Sequence, residues 1–265
     1  MGNHGTDRIW MEVEGEGPLI AVALHDGHDI RGEVRELSAL ADEDRLREED
    51  PGSGSWTDVA PTRIVGLRSR FEVDLNRLRN EAVYIKPVDA WGLDVWASPP
   101  PVDLIERSLA EYDLFYENLR QILERFQQRY GRFVILDLHS YNFRRAGPDG
   151  PVADPDGNPE VNIGSGTMNR EFWAPVVDRL IADLRAFDFG GAHLDVRENV
   201  KFYGRGFPRF VHETFPESGC AIAIEFKKFF MDEWSGVLFH PEYERIQEAL
   251  ASVVPGVLAT LEEMG

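Results

Sequence analysis

One cysteine, Cys220, is present among 265 residues. No intrachain disulfide can form, which excludes a small secreted scaffold held by bridges. Cys220 precedes the apolar stretch "AIAIEF", so a buried, unreactive thiol is expected. No apolar run is long enough to span a bilayer. The first residues, "MGNHGTDRIWMEVEGEG", show no basic segment leading into an apolar one, so no secretory signal is expected and a cytoplasmic protein is the default. Positive charge is scarce: 28 Lys and Arg stand against 47 Asp and Glu, a net −19. Such a polyanion is repelled by nucleic acid and by anionic membranes, and neither is expected as a partner. A small acidic substrate is still admissible, because a cluster of arginines can reverse the field inside a pocket. A Gly-rich phosphate loop is also missing. "GRGF" at 204–207 has neither the strand–turn–helix context nor the lysine of a nucleotide site. Ser140 has no G-x-S-x-G elbow around it, which argues against a serine hydrolase.

What is there suffices for a core: 43% of residues are apolar. Residues 18–25, "PLIAVALH", read as a strand, 31–50 as a helix and 50–58, "DPGSGSWTD", as a loop. Residues 64–73 are a further candidate strand. A proline start, apolar residues at steps of three and four, and a glycine stop predict a long helix over 99–131. "RFVILDLH" follows as a strand, and 144–160 as a long Gly/Pro/Asp loop. Residues 170–187 and 241–264 read as helices, and 193–197 and "CAIAIEF" as strands. Alternating strands and helices, with continuous apolar strands, imply one three-layer α/β/α domain over 1–265 around a mixed, largely parallel sheet. Ligands bind such folds beyond the carboxyl ends of the strands. His25, His139 and Glu225 each end an apolar strand run, so parallel pairing would bring them together.

"ALHDGHDI" contains His25-x-x-His28, with Gly27 to ease the turn. Together with His139 these give three nitrogen ligands and a position left for water, the pattern of a catalytic zinc. Asp26 or Asp29 could replace His28 as an oxygen ligand. Asp137, two residues before His139 on the same strand face, either orients an imidazole or caps a backbone turn. Asn76 and Arg77 in "RFEVDLNR" either grip a carboxylate or follow Asp74 as the N-cap of a turn. Glu225 after a buried strand either works as a general base or pairs with Lys227 or Lys228. His4, His193, His212 and His240 read as solvated or structural, and the acidic runs "ADEDRLREED" and "LEEM" as solvated helix faces.

The order of these segments — "HDGH", "DLNR", "DLHS", then Glu225 — resembles the N-formylglutamate amidohydrolase family, and more widely the zinc carboxypeptidase and aspartoacylase group. The likeness runs from about residue 20 to about residue 235. "SRFEVDLNR", "LDLHSYN", "VNIGSGT", "NVKFYGRGF" and "IEFKKFFMDE" carry it. It implies a zinc carboxypeptidase-like (phosphorylase/hydrolase-like) fold. His25 and His139 fall at the family's zinc histidines, and His28 where the wider group has an acidic ligand. Glu225 falls at the general base, Asn76 and Arg77 at the pair that binds a substrate carboxylate, and Arg70 near a further arginine. Asn199, Tyr203 and Arg205 lie in a stretch resembling a substrate-binding segment. Two motifs depart from the family: Leu-His-Asp-Gly stands for Pro-His-Ser-Gly, and Lys201-Phe202 for a proline–aromatic pair.

The resemblance implies an amidohydrolase that cleaves an N-acyl amino acid, N-formyl ones such as N-formylglutamate included, with one zinc per chain. Iron, cobalt or manganese suit the same ligands. Glu225 would take a proton from metal-activated water and return it to the leaving amine. Arg70, Arg144 or Arg145 would steady the oxyanion, and Arg77 and Arg205 the substrate's carboxylates. The rivals are a deacylase or carboxypeptidase-like enzyme of other specificity, and a non-catalytic domain that keeps the fold. No segment indicates an oligomeric state.

Overall fold

The computed structural model describes residues 8–265, and His4 lies outside them. Its sheet comprises β1 (Trp10–Val13), β2 (Leu19–Ala23), β3 (Thr62–Gly66), β4 (Phe133–Tyr141), β5 (Val161–Gly164), β6 (Val196–Glu198) and β7 (Gly219–Lys227). The order across the sheet is β1-β3-β2-β4-β7-β5-β6. The inner strands β3, β2, β4 and β7 are parallel. At the margins β1 runs antiparallel to β3, β5 runs antiparallel to β7, and β6 is parallel to β5. The sheet is therefore mixed and parallel at its centre.

Helices cover both faces. They are α1 (Gly32–Leu37), α2 (Asp42–Glu48), α3 (Ser53–Trp56), α4 (Val102–Tyr130), α5 (Ala174–Ala186), α6 (Phe207–Thr214) and α7 (His240–Glu263). Successive side chains of a strand point to opposite faces, and β4 shows this. Val134, Leu136 and Leu138 join one core with Leu180 of α5 and Val253 of α7. Phe133 and Ile135 join the other with Leu119 and Ile122 of α4 and Phe207 of α6. A strand buried on both faces must be apolar throughout, which is why "FVIL" and "AIAI" read as unbroken runs. α4 buries Leu104, Tyr112, Phe115, Leu119, Ile122 and Phe126 and stops at Gly131, whose φ is 74°.

Several elements differ from expectation. The helix expected over 31–50 is two short helices, parted where Ala39 donates its N–H to Val95 O at 2.9 Å. That tertiary hydrogen bond pulls residues 38–41 out of helix. The loop over 50–58 contains α3, and the strand over 64–73 shrinks to β3. β1, β5 and α6 were not foreseen. β1 and β5 are four residues each, too short for periodicity to register, and β5 carries a buried polar residue, Asn162.

Candidate functional site

β4 and β7 pair in a register that sets His139 directly opposite Glu225. β2 lies on the other side of β4, and the chain leaving it carries His25. The two imidazole centroids are 4.9 Å apart. Asp50, in the turn after α2, completes the group: its Oδ2 is 3.0 Å from His139 Nδ1 and 3.4 Å from His25 Nδ1. Its backbone N–H donates to His25 O at 2.8 Å, and Ser140 Oγ donates to its Oδ1 at 3.1 Å. Ligand atoms of His25, Asp50 and His139 all lie within 4.8 Å of one another, and all three residues are buried.

The outer nitrogens are also occupied. His25 Nε2 lies 2.7 Å from Asp74 Oδ1, and His139 Nε2 lies 3.0 Å from Asp137 Oδ1. A carboxylate at Nε2 keeps the proton there and turns the Nδ1 lone pair inward. Two lone pairs and a carboxylate then face one point. Three acceptors do not tolerate such proximity without a cation or a proton among them. Two imidazole nitrogens and a carboxylate oxygen suit a first-row divalent ion, so the residues present fit a metal.

The surrounding charges are strongly perturbed. Burial raises the Glu225 carboxyl to about 7; Asp50 and Asp137 add to the rise, and His139 offsets part of it. No hydrogen bond to this carboxylate occurs among the described residues, so it is free to meet water or substrate. Burial would raise Asp50 too, but in the metal-free protein the adjoining His139 and His25 imidazoles outweigh it and hold the carboxyl well below its usual range. Asp74 is likewise held low against burial by Arg70 and His25. Burial pulls Lys228 down to about 8, with Asp50 and Glu48 resisting.

Glu225, Asp50 and Lys228 line a pocket with about 200 Å³ open to water. Of the sequence-predicted residues, His25, His139, Glu225, Arg70, Asn76, Arg77 and Arg145 meet there. Asp137 lies behind His139. The Asn76 amide is 3.2 Å from His139 Nε2, and its Oδ1 accepts the Phe207 N–H at 2.6 Å. Arg70 donates to Asp74 (2.8 Å) and Tyr84 (3.1 Å), and Arg77 to Asp89 O (3.0 Å).

His28 is not in the cluster, and Asp50 stands where a third donor was sought. Glu49 is fully buried; one of its oxygens takes His28 Nδ1 and the other accepts Ser69 Oγ, while Arg45 Nη2 approaches His28 Nε2 at 3.3 Å. Asp26 accepts the Gly52 N–H (2.8 Å), the Asp29 backbone pairs with Leu67 and Ser69, and neither carboxylate belongs to the cluster. Gly27 has no unusual φ. It is there because a Cβ would sit 2.2 Å from the Leu67 carbonyl carbon. Arg144 faces a separate hollow with Trp234, its N–H donated to Glu233 at 2.7 Å. Asn199 is tied to Ser165, and Tyr203 and Arg205 stack on each other at the surface. From that segment Phe202 enters the pocket instead.

Sequence reasoning missed Asp50, Glu48, Trp91 and Lys228. Trp91 lines the mouth in a left-handed backbone (φ 54°) that bulky residues rarely adopt, with Arg70 Cζ 4.7 Å over its ring. Glu48 holds Arg145 with a 3.0 Å bond.

A buried carboxylate poised to accept a proton, opposite a histidine–carboxylate cluster, suits the splitting of a bond by water, and fold and site together are those of a hydrolase. The family is narrower. Residues 17–231 match the model of N-formylglutamate amidohydrolase, and the chain belongs to that family: it is a hydrolase acting on amide bonds. Its fold is similar to an N-formylglutamate amidohydrolase from Ralstonia eutropha JMP134, with TM-score 0.72 and 19% identity over 97% of this chain and 98% of that one. A gene product of Agrobacterium tumefaciens matches with TM-score 0.70 and 17% identity over 96% of each chain. A metallo-carboxypeptidase from Burkholderia cenocepacia is far looser, at TM-score 0.38 and 11% identity over 93% of this chain and 57% of that one. No curated protein matches the sequence. No helix among the described residues is long and apolar enough to cross a membrane.

Proposed function

We propose that the chain is a zinc-dependent amidohydrolase of small acidic N-acyl amino acids, N-formylglutamate first among them. The observation that carries this reading is the convergence of two Nδ1 atoms and Asp50 Oδ2 beside a glutamate raised to about 7. Zinc held by His25, Asp50 and His139 would supply Lewis acidity toward the substrate carbonyl and acidify water. Glu225 accepts a proton from the attacking water as its oxygen bonds the acyl carbon. The same carboxyl then gives that proton to the amine as the C–N bond breaks, and a group titrating near neutrality serves both steps. Asp74 and Asp137 keep the imidazoles in one tautomer. Arg70, fixed by Asp74 and Tyr84, is placed to stabilise the developing oxyanion. Asn76 and Arg77 orient the substrate's carboxylate, with Arg145 at the mouth for a second one.

A related substrate with another side chain or acyl group is a second reading. Trp91 and Phe202 favour it, because they give the pocket aromatic walls that an acidic side chain does not need. A panel of N-formyl and N-acetyl derivatives of glutamate, aspartate and phenylalanine separates the two. Release of amine should require zinc and should fall roughly 10²- to 10⁴-fold in Glu225→Gln. Turnover that survives both chelation and Glu225→Gln would refute the mechanism.

A further inference from the structure

Lys228 is fully buried, three residues beyond Glu225, and its ammonium donates to Arg47 O at 2.6 Å and Glu49 O at 2.7 Å. Those carbonyls close the C-terminus of α2, where backbone acceptors have no helical partner. A cation there is favoured by the helix dipole as well. The Lys228 backbone N–H donates to Tyr141 O at 3.0 Å, so this residue is fastened to the end of β4. It thus ties the sheet edge carrying His139 and Glu225 to the segment that ends in Asp50. Only four of the 28 basic residues are lysines. Arginine is this chain's ordinary cation, yet its planar fork is a poor match for two carbonyls converging on one atom. A compact ammonium makes both bonds, and no third acceptor is seen among the described residues.

We infer that Lys228 is a positioning residue: by capping α2 it holds Asp50 within reach of His25 and His139. This rests on the reading of Asp50 as a metal ligand. Asp50 itself is anchored by its N–H to His25 O, by Ser140 Oγ on Oδ1 and by Ser53 on its carbonyl; Lys228 holds the helix end that leads into it. Without Lys228, the carbonyls of Arg47 and Glu49 lose their side-chain donor, Arg70 on Glu48 O (3.3 Å) is left as the side-chain tie to this turn, and Asp50 gains room to shift from the two Nδ1 atoms.

The test uses the full chain, stripped of metal and titrated with zinc against a chelating dye. Lys228→Met keeps the length of the side chain and removes its donors. It should weaken zinc roughly 10- to 100-fold, as loss of contacts behind a ligand does, and Lys228→Arg should recover part of that. In zinc-free protein, amide exchange over residues 46–52 should quicken in Lys228→Met while distant strands stay protected. Zinc affinity within about threefold of wild type, together with unchanged exchange, would overturn the inference. Wild-type protein that takes up no zinc would instead refute the metal reading, and the exchange comparison would still decide the role of Lys228. If Lys228→Met does not fold, Lys228→Gln, which keeps a donor for one carbonyl, is judged by the same criteria.

Discussion

Asp50→Asn compared with His28→Asn is the sharpest test of the site. Asparagine keeps the shape of the side chain and an acceptor for Ser140 Oγ, but removes the charge and turns the oxygen facing the two Nδ1 atoms into an amide NH2 that cannot ligate. The Asp50 carboxylate lies 3.0 and 3.4 Å from the two Nδ1 atoms, in a group whose ligand atoms span at most 4.8 Å. One pair of unit charges about 4 Å apart, at an effective dielectric of about 20, is worth about 4 kcal/mol. At about 1.4 kcal/mol per decade, Asp50→Asn should weaken zinc roughly 10³-fold. His28, bonded to Glu49 and 38% exposed in its side chain, should matter little: His28→Asn should stay within about threefold. Zinc competition on protein purified without a metal-affinity tag reads both, and elemental analysis gives the stoichiometry. If Asp50→Asn binds like wild type while His28→Asn loses the metal, the geometric reasoning fails and the histidine trio is restored.

Three further outcomes follow from the same structure. Glu225 must be ionised to accept a proton, so kcat/KM should fall as pH drops through its pKa. A cation in the cluster favours the carboxylate, so the midpoint should lie between the ordinary 4.5 and about 7, and a profile flat across that window would remove Glu225 as the base. Burial lowers His212 to about 4 from an ordinary 6.5, and its Nε2 accepts the Ala221 N–H at 3.1 Å. Its folded pKa is depressed, so stability is complete above 6.5 and declines as pH falls toward 4, by about 3 kcal/mol in all. Denaturant midpoints for wild type and His212→Gln should converge on acidification. Gly27→Ala should destabilise the chain by about 1–3 kcal/mol and weaken zinc, since its Cβ would strike Leu67 backbone beside His25; a variant with unchanged melting and affinity would show that the loop yields freely.

The sequence by itself determined the parts whose signal is local. β4 and β7 are legible because strands covered on both faces must be apolar, and α4 because its buried positions recur at helical steps between prolines and a glycine. His139 and Glu225 stand out for the same reason: an ionisable residue at the end of such a strand is costly unless it has a task. The site's other half is decided by tertiary structure. Asp50 closes an acidic run that reads as a solvated helix face, and nothing within that run marks it as buried. It becomes a candidate ligand only because residues 26–50 fold back over the sheet edge, with Asp50 bonded to His25 O and Lys228 capping α2. His28 has the right spacing and loses its place to Glu49, a buried carboxylate on a segment 21 residues away that must be paired. Spacing along the chain says which side chains can reach one point; the competition among buried charges for partners, which exists only in the folded protein, says which of them do.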